Sequence, residues 1–299
     1  IPGGCFSTYP VTVNPNPATI TGTANVCVAA STTLSNATAG GTWTSGNPTI
    51  ASVGGATGIV TGLAAGTPTI SYTLPTGCFA IRVVTVNPNP AAIAGPTNVC
   101  TGQAITLTNA TTGGTWSSSN TALGTVNPTS GVVTGVAVGT PIISYTLGTG
   151  CFATFAVVVN QTPSAITGPS FVCVGSTVTL SNAYGGGTWS SSNPTLATVG
   201  ASTGLVSGLA TGMPIITYSL PPGCITTMVI SVNPTPATIT GTMNVCVGST
   251  TILSNATGGG IWSSGNPGVA TITGSTGMVS GISAGTANIT YTLPGGCIA

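Results

Sequence analysis

Apolar and polar residues alternate along this chain in short runs, broken by Gly, Pro, Asn and Ser about every 8–12 positions. Over 69–74, for example, Ile70, Tyr72 and Leu74 fall on one face, the period of two of a half-buried strand. The same reading predicts strands over 18–21, 25–28, 31–36, 41–45, 50–53 and 58–63, with a closing strand over 78–87. No stretch combines a 3.6-residue apolar period with usable caps, so helix content near zero is expected. Short strands with turn signals at this spacing are the pattern of an all-β sandwich.

The pattern then repeats. Trp43, Trp116, Trp189 and Trp262 are 73 residues apart, and Tyr72, Tyr145, Tyr218 and Tyr291 keep the same interval. A fixed period without insertions is one structural unit copied in series. The expected architecture is therefore tandem immunoglobulin-like β-sandwich domains with a 73-residue period. Residues 15–87, 88–160, 161–233 and 234–299 are the four repeats, the last without its closing strand, and 1–14 is the closing strand of a preceding or neighbouring domain. Asn-Pro-Asn-Pro at 14–17 and 87–90, Asn-Gln-Thr-Pro at 160–163 and Asn-Pro-Thr-Pro at 233–236 join the units. Proline stiffens such joints.

The stretch at 187–200, Gly-Thr-Trp-Ser-Ser-Ser-Asn-Pro-Thr-Leu-Ala-Thr-Val-Gly, is followed by Gly-Leu-Val-Ser-Gly-Leu-Ala-Thr-Gly at 203–211 and Ile-Ile-Thr-Tyr at 215–218. Together they resemble the bacterial immunoglobulin-like group 2 repeat, and all four copies carry the pattern. The resemblance implies the sandwich fold and a place in large surface proteins, adhesins and secreted fibres of bacteria.

Composition removes whole classes of function. The chain has no Asp, Glu or His, and its one charged side chain is Arg82, where about 25% charged residues is ordinary. With 41% hydrophobic residues it can bury a core, unlike a disordered chain of low hydrophobicity and high charge. General acid–base catalysis needs His, Asp, Glu or Lys, and Ser, Thr or Cys nucleophiles need a base to activate them. No enzyme and no cofactor are expected. Hard-metal sites need carboxylates, and cysteines 22 or 51 residues apart are not a zinc pattern. One arginine makes no nucleic-acid surface, and no run of 18 apolar residues offers a membrane span.

The invariant aromatics Trp43, Trp116, Trp189, Trp262, Tyr72, Tyr145, Tyr218 and Tyr291 are read as core residues, the tyrosines as braces near the penultimate strand. Arg82 takes the place of Tyr9, Phe155 and Met228 in the other copies. That position wants bulk, and its two readings are an aliphatic stem covering the sandwich edge with its head in water or a contact site between domains or chains.

The nine cysteines, at 5, 27, 78, 100, 151, 173, 224, 246 and 297, alternate spacings of 22 and 51. Regular cysteines in an uncharged sandwich point to an oxidised, extracellular or cell-surface location. Two pairings are regular. The 51-residue pairs within domains, Cys27–Cys78, Cys100–Cys151, Cys173–Cys224 and Cys246–Cys297, leave Cys5 unpaired or available to another subunit. The 22-residue pairs across linkers leave Cys297. The first is preferred, because opening and closing strands of a sandwich are neighbours. Residues 5–14 repeat a closing strand and the fourth repeat lacks one. The sequence is therefore expected to be either a window in a longer run of repeats or a subunit lending that strand to its neighbour. Both make the chain its own partner in a structural filament. The stalk of a surface adhesin and a surface-binding module for ice or polysaccharide are the alternatives.

Overall fold

The computed structural model describes residues 7–299. The chain falls into two compact units, one extending to Val159 and the other comprising Asn160–Ala299. Every regular element among the described residues is a β-strand.

Repeat 1 shows the plan. Its strands are β1 (Thr21–Gly22), β2 (Asn25–Cys27), β3 (Ser31–Ser35), β4 (Thr42–Ser45), β5 (Ala51–Val53), β6 (Ile59–Gly62), β7 (Thr69–Thr73), β8 (Phe79–Val83) and β9 (Thr85–Asn87). One antiparallel sheet has the order β1-β3-β6-β5 and the other β4-β7-β8, while β2 and β9 form a separate pair. Side chains alternate along each strand, so β7 buries Ile70 and Tyr72 against Leu34, Trp43, Val60 and Val86. Repeats 2 and 3 bury the equivalent residues.

The cross-strand pair Trp43↔Tyr72 anchors the core. The rings lie 4.7 Å apart between centroids, inclined at 53°, within the range of favourable aromatic pairs. The Tyr72 hydroxyl donates to the Thr38 carbonyl at 2.7 Å and accepts from the Gly41 amide at 2.8 Å. One buried side chain thus ties β7 to the loop leading into β4. All four copies keep this arrangement, with ring separations of 4.6–4.7 Å. Under the indole, Gly58 adopts φ +69°, and a side chain there would run into the Leu34 carbonyl and Trp43. Gly131, Gly204 and Gly277 repeat that turn at φ +70°, +67° and +75°.

The closing segment 78–87 differs from the single strand expected. It divides at Val84. Antiparallel to β7, β8 covers five residues; then the Val84 amide bonds the Pro68 carbonyl and the Thr85 amide bonds the Ala24 carbonyl. Beyond that switch β9 runs parallel to β2, with Asn25↔Thr85, Val26↔Val86 and Cys27↔Asn87 in register, and on its other side Val86 bridges Gly66. Val84 and Val86 both reach the core.

Removing the phenolic hydroxyl in Tyr72→Phe orphans the Gly41 amide and the Thr38 carbonyl. A loss of about 1–3 kcal/mol from repeat 1 is expected, seen as faster amide exchange at Gly41 and an earlier denaturant transition. Unchanged exchange would show that the hydroxyl does not hold the loop.

Candidate functional site

The chemistry that varies in this chain is at the ends of the sandwiches, where cysteines meet. Because β2 and β9 are parallel, Cys27 sits opposite Asn87, at the end of repeat 1 nearest the linker to repeat 2. Cys78 opens the closing segment and lies nine residues before Asn87, about 30 Å away along extended chain. A disulfide needs α-carbons within about 7 Å. The pairing Cys27–Cys78 is therefore out of reach.

Cys27 bonds Cys151 instead, with α-carbons 5.6 Å apart, and Cys173 bonds Cys297 at 5.8 Å. Both bridges span 124 residues and join one repeat to the next. Cys100 and Cys224 are each disulfide-bonded as well, whereas Cys78 and Cys246 are free thiols. These partners correct both regular pairings read from the spacing, within domains and across linkers alike. The inference that opening and closing strands are neighbours was sound, but it presumed an antiparallel pair that would bring the two cysteines to one end. Cys5 lies outside the described residues.

The linker asparagines complete each junction. The Asn87 carbonyl lies 3.9 Å from the Cys151 sulfur, and the Asn233 carbonyl lies 3.9 Å from that of Cys297. The Asn233 amide also donates to the Gly295 carbonyl at 2.7 Å, holding the turn before Cys297. Asn89 and Thr235, two residues further on in their linkers, donate to the carbonyls of Val28 and Val174. Recurrence of Asn at 14, 87, 160 and 233 was the available signal, although Asn in a turn is usually explained by its own backbone preferences.

Arg82 is half-buried, and its guanidinium donates to the Ile20 carbonyl at 2.6 Å. The charge is therefore spent on its own repeat and not left in water. Phe155 and Met228 pack on the cores of theirs. The eight invariant Trp and Tyr residues are buried. No group of three metal-ligating side chains occurs among the described residues.

Each unit of this architecture is an immunoglobulin-like sandwich repeated in tandem. The chain belongs to the bacterial Ig-like domain (group 2) family, whose model matches residues 7–85, 80–158, 171–218 and 226–295. No curated protein sequence matches it. Among solved structures it is similar to a C-terminal 282-residue fragment of intimin in complex with the intimin-binding domain of the translocated intimin receptor. That pair is 21% identical, covering 54% of this chain and 69% of that one with a TM-score of 0.35. Domains 4 and 5 of the S-layer protein SbsC are 20% identical, covering 49% of this chain and 100% of that one, TM-score 0.24. Drosophila N-cadherin EC1-3 is 13% identical, covering 68% and 91%, TM-score 0.21.

Digestion without reduction should release the Cys27 peptide joined to the Cys151 peptide. Cys78 and Cys246 should alkylate before any reductant is added. A Cys27–Cys78 peptide would overturn the junction and the parallel β2–β9 pair with it.

Proposed function

We propose that this chain is a load-bearing segment of an extracellular structural fibre, in which disulfides fasten successive repeats together. The observation that carries this reading is the direction of the bridges. A disulfide inside a sandwich stabilises that sandwich, whereas Cys27–Cys151 and Cys173–Cys297 tie one sandwich to the next. Tension entering before Cys27 crosses the sulfur bridge to Cys151. Residues 28–150 then lie outside the load path, as do 174–296 behind the second bridge. Each 124-residue closure also contributes about 5 kcal/mol in the chain-entropy account.

Two further features support a structural role. With one charged side chain in 299 residues, the chain lacks the self-repulsion that keeps soluble proteins apart. Strand β8 is a sheet edge, and it turns Phe79, Ile81 and Val83 outward in one row. An uncharged apolar edge is a hazard on a monomer and suits side-by-side packing in a fibre. Catalysis has no place in this reading, since no acid or base is present to perform it. Bridges of this kind persist in oxidising compartments, hence an extracellular location. The stalk of a bacterial surface protein is the second reading. Membership of the bacterial Ig-like family favours it, and the same staples would serve it.

Pulling on single oxidised chains tests the load path. No extension step of a whole repeat is expected. Adding reductant should release steps of about 250 Å of contour for each 73 residues. Whole-repeat steps under oxidising conditions would sink the load-bearing reading. The midpoint of thermal unfolding should also stay level from about pH 3 to pH 9. Acid unfolding titrates carboxylates and histidines held in the native state, and the chain has none. A midpoint that falls steeply in mild acid would require charged partners.

A further inference from the structure

The closing segment of repeat 3 leaves one edge of its sheet bare. There the tyrosine strand Ile215–Leu220 pairs with the closing strand Cys224–Val229 in antiparallel register. Facing residues in such a ladder alternate between pairs that exchange hydrogen bonds and pairs that do not. The Ile230 amide bonds the Pro214 carbonyl at 3.0 Å, so Met228, Thr226 and Cys224 are the next bonded positions along the strand. Ile225, Thr227 and Val229 lie between them and turn their amides and carbonyls away from the sheet. Beyond Val229 that side of the chain is closed, because the Ser231 amide bonds the Ser170 carbonyl at 2.9 Å. Over 225–229 these groups have no partner among the described residues. The far edge of the same sheet is different, since the Trp189 amide of strand Thr188–Ser191 bonds the Ala201 carbonyl at 2.9 Å.

Bare edges are ordinarily guarded by Lys, by Pro, by a bulge or by an inward-pointing charge. None of these occurs over 224–229, where the register is unbroken. Ile225 and Val229 are 54% and 48% exposed, with Thr227 exposed between them. All three are β-branched, the type that fits a strand best. We infer that this strand pairs with the same strand of a second copy of the chain, antiparallel about a two-fold axis at Thr227. The inference rests on the fibre reading and supplies its side-by-side partner and the site of contact.

The register follows from the row of open groups. A two-fold axis at Thr227 sets that residue opposite its own copy and Ile225 opposite Val229 of the second copy. Each of the three facing pairs then exchanges both of its amide–carbonyl hydrogen bonds, which neither copy can make alone. The side chains of the row share the outer face of the sheet. Ile215, 42% exposed, lies beside Val229 there, and Val229 meets Ile225 of the second copy across the joint. The two threonine hydroxyls face each other, a favourable cross-strand pair. Two sheets of three strands become one of six. A net charge of +1 offers almost no repulsion to oppose the approach.

The same edge in repeats 1 and 2 is less fit for pairing. In repeat 1 the outward row is Phe79, Ile81 and Val83, but Arg82 stands in the same strand with its side chain turned inward. A two-fold pair about Ile81 would set the two Arg82 α-carbons roughly 8 Å apart, with like charges on one face of the joint. The one charge in the chain thus guards the most apolar of the three edges. In repeat 2 the row is Phe152, Thr154 and Ala156, and alanine is a poor strand former.

The test is amide hydrogen exchange of the full 299-residue chain at low and high concentration, with sedimentation of the same samples. In the dilute chain the Thr226 and Met228 amides should be protected and those of Ile225, Thr227 and Val229 should exchange fast. At high concentration association is expected, and these three amides should slow by on the order of 10-fold or more. Those of Phe79, Ile81 and Val83 should remain fast. Thr227→Pro removes a donor that repeat 3 itself does not use, at an edge where proline is tolerated. Its unfolding midpoint should hold while the concentration-dependent protection of Ile225 and Val229 disappears. Thr227→Lys and Thr227→Glu leave the backbone free and keep the test decisive if the proline disturbs folding. Each alone should pair about fivefold more weakly, because like charges stand directly opposite, and an equimolar mixture should pair as tightly as the parent. A chain that stays monomeric, an associated chain whose 225, 227 and 229 amides remain fast, or a Lys and Glu mixture that gains nothing would each overturn the inference. None of these outcomes touches the pulling of single chains, so the load-bearing reading fails or stands separately.

Discussion

Parallel pairing between the opening strand and the end of the closing strand is the constraint on which this molecule turns. Antiparallel neighbours reverse direction at each turn and return their ends to the same place. The closing segment of repeat 1 instead runs antiparallel along β7, changes sheet at Val84 and finishes alongside β2 in the same direction. It therefore carries the chain from one end of the sandwich to the other. Cys78 marks where that traverse begins, and Cys27, opposite Asn87, marks where it ends. Each repeat consequently has one cysteine at each end, and Cys27 and Cys173 find their partners, Cys151 and Cys297, in the repeat that follows.

The near-absence of charge gains its meaning from this geometry. Ion pairs at exposed joints are worth little and are screened by salt. A joint made of a disulfide, a linker asparagine and backbone hydrogen bonds has no such dependence. The interior is equally free of carboxylate, imidazole and amine side chains, and no buried side-chain polar atom among the described residues lacks a hydrogen-bond partner. What holds a repeat together is apolar burial and its ladders, with the Trp–Tyr pair at the centre.

Period and alternation made the sandwich legible. Trp43 and Tyr72 recur without exception, and Ile70, Tyr72 and Leu74 alternate as a half-buried strand must. Strand direction was not legible. Spacings of 22 and 51 are compatible with either sense of the opening and closing strands, and period-2 patterning is identical in parallel and antiparallel pairs. The sheet switch at Val84 was hidden for a related reason. Val83, Val84 and Val86 are all good strand residues, and nothing in their identity marks a change of partner. Bulk at position 82 was legible from Tyr9, Phe155 and Met228 in the other copies, whereas the Ile20 carbonyl that the Arg82 guanidinium reaches was not.

The bridges also report an order of events. In an unfolded chain the cost of closing a loop grows as (3/2)RT ln n. Cysteines 22 residues apart would therefore meet more readily than those 124 apart, by about 1.5 kcal/mol. Chain proximity alone would give the linker pairs. The 124-residue bridges can win only where folded sandwiches already hold Cys27 beside Cys151 and Cys173 beside Cys297. Folding must then come before stapling, and the staple records an arrangement that strands and cores have chosen. The disulfide does not guide the fold; it makes permanent the joint that the parallel strand pair has already placed.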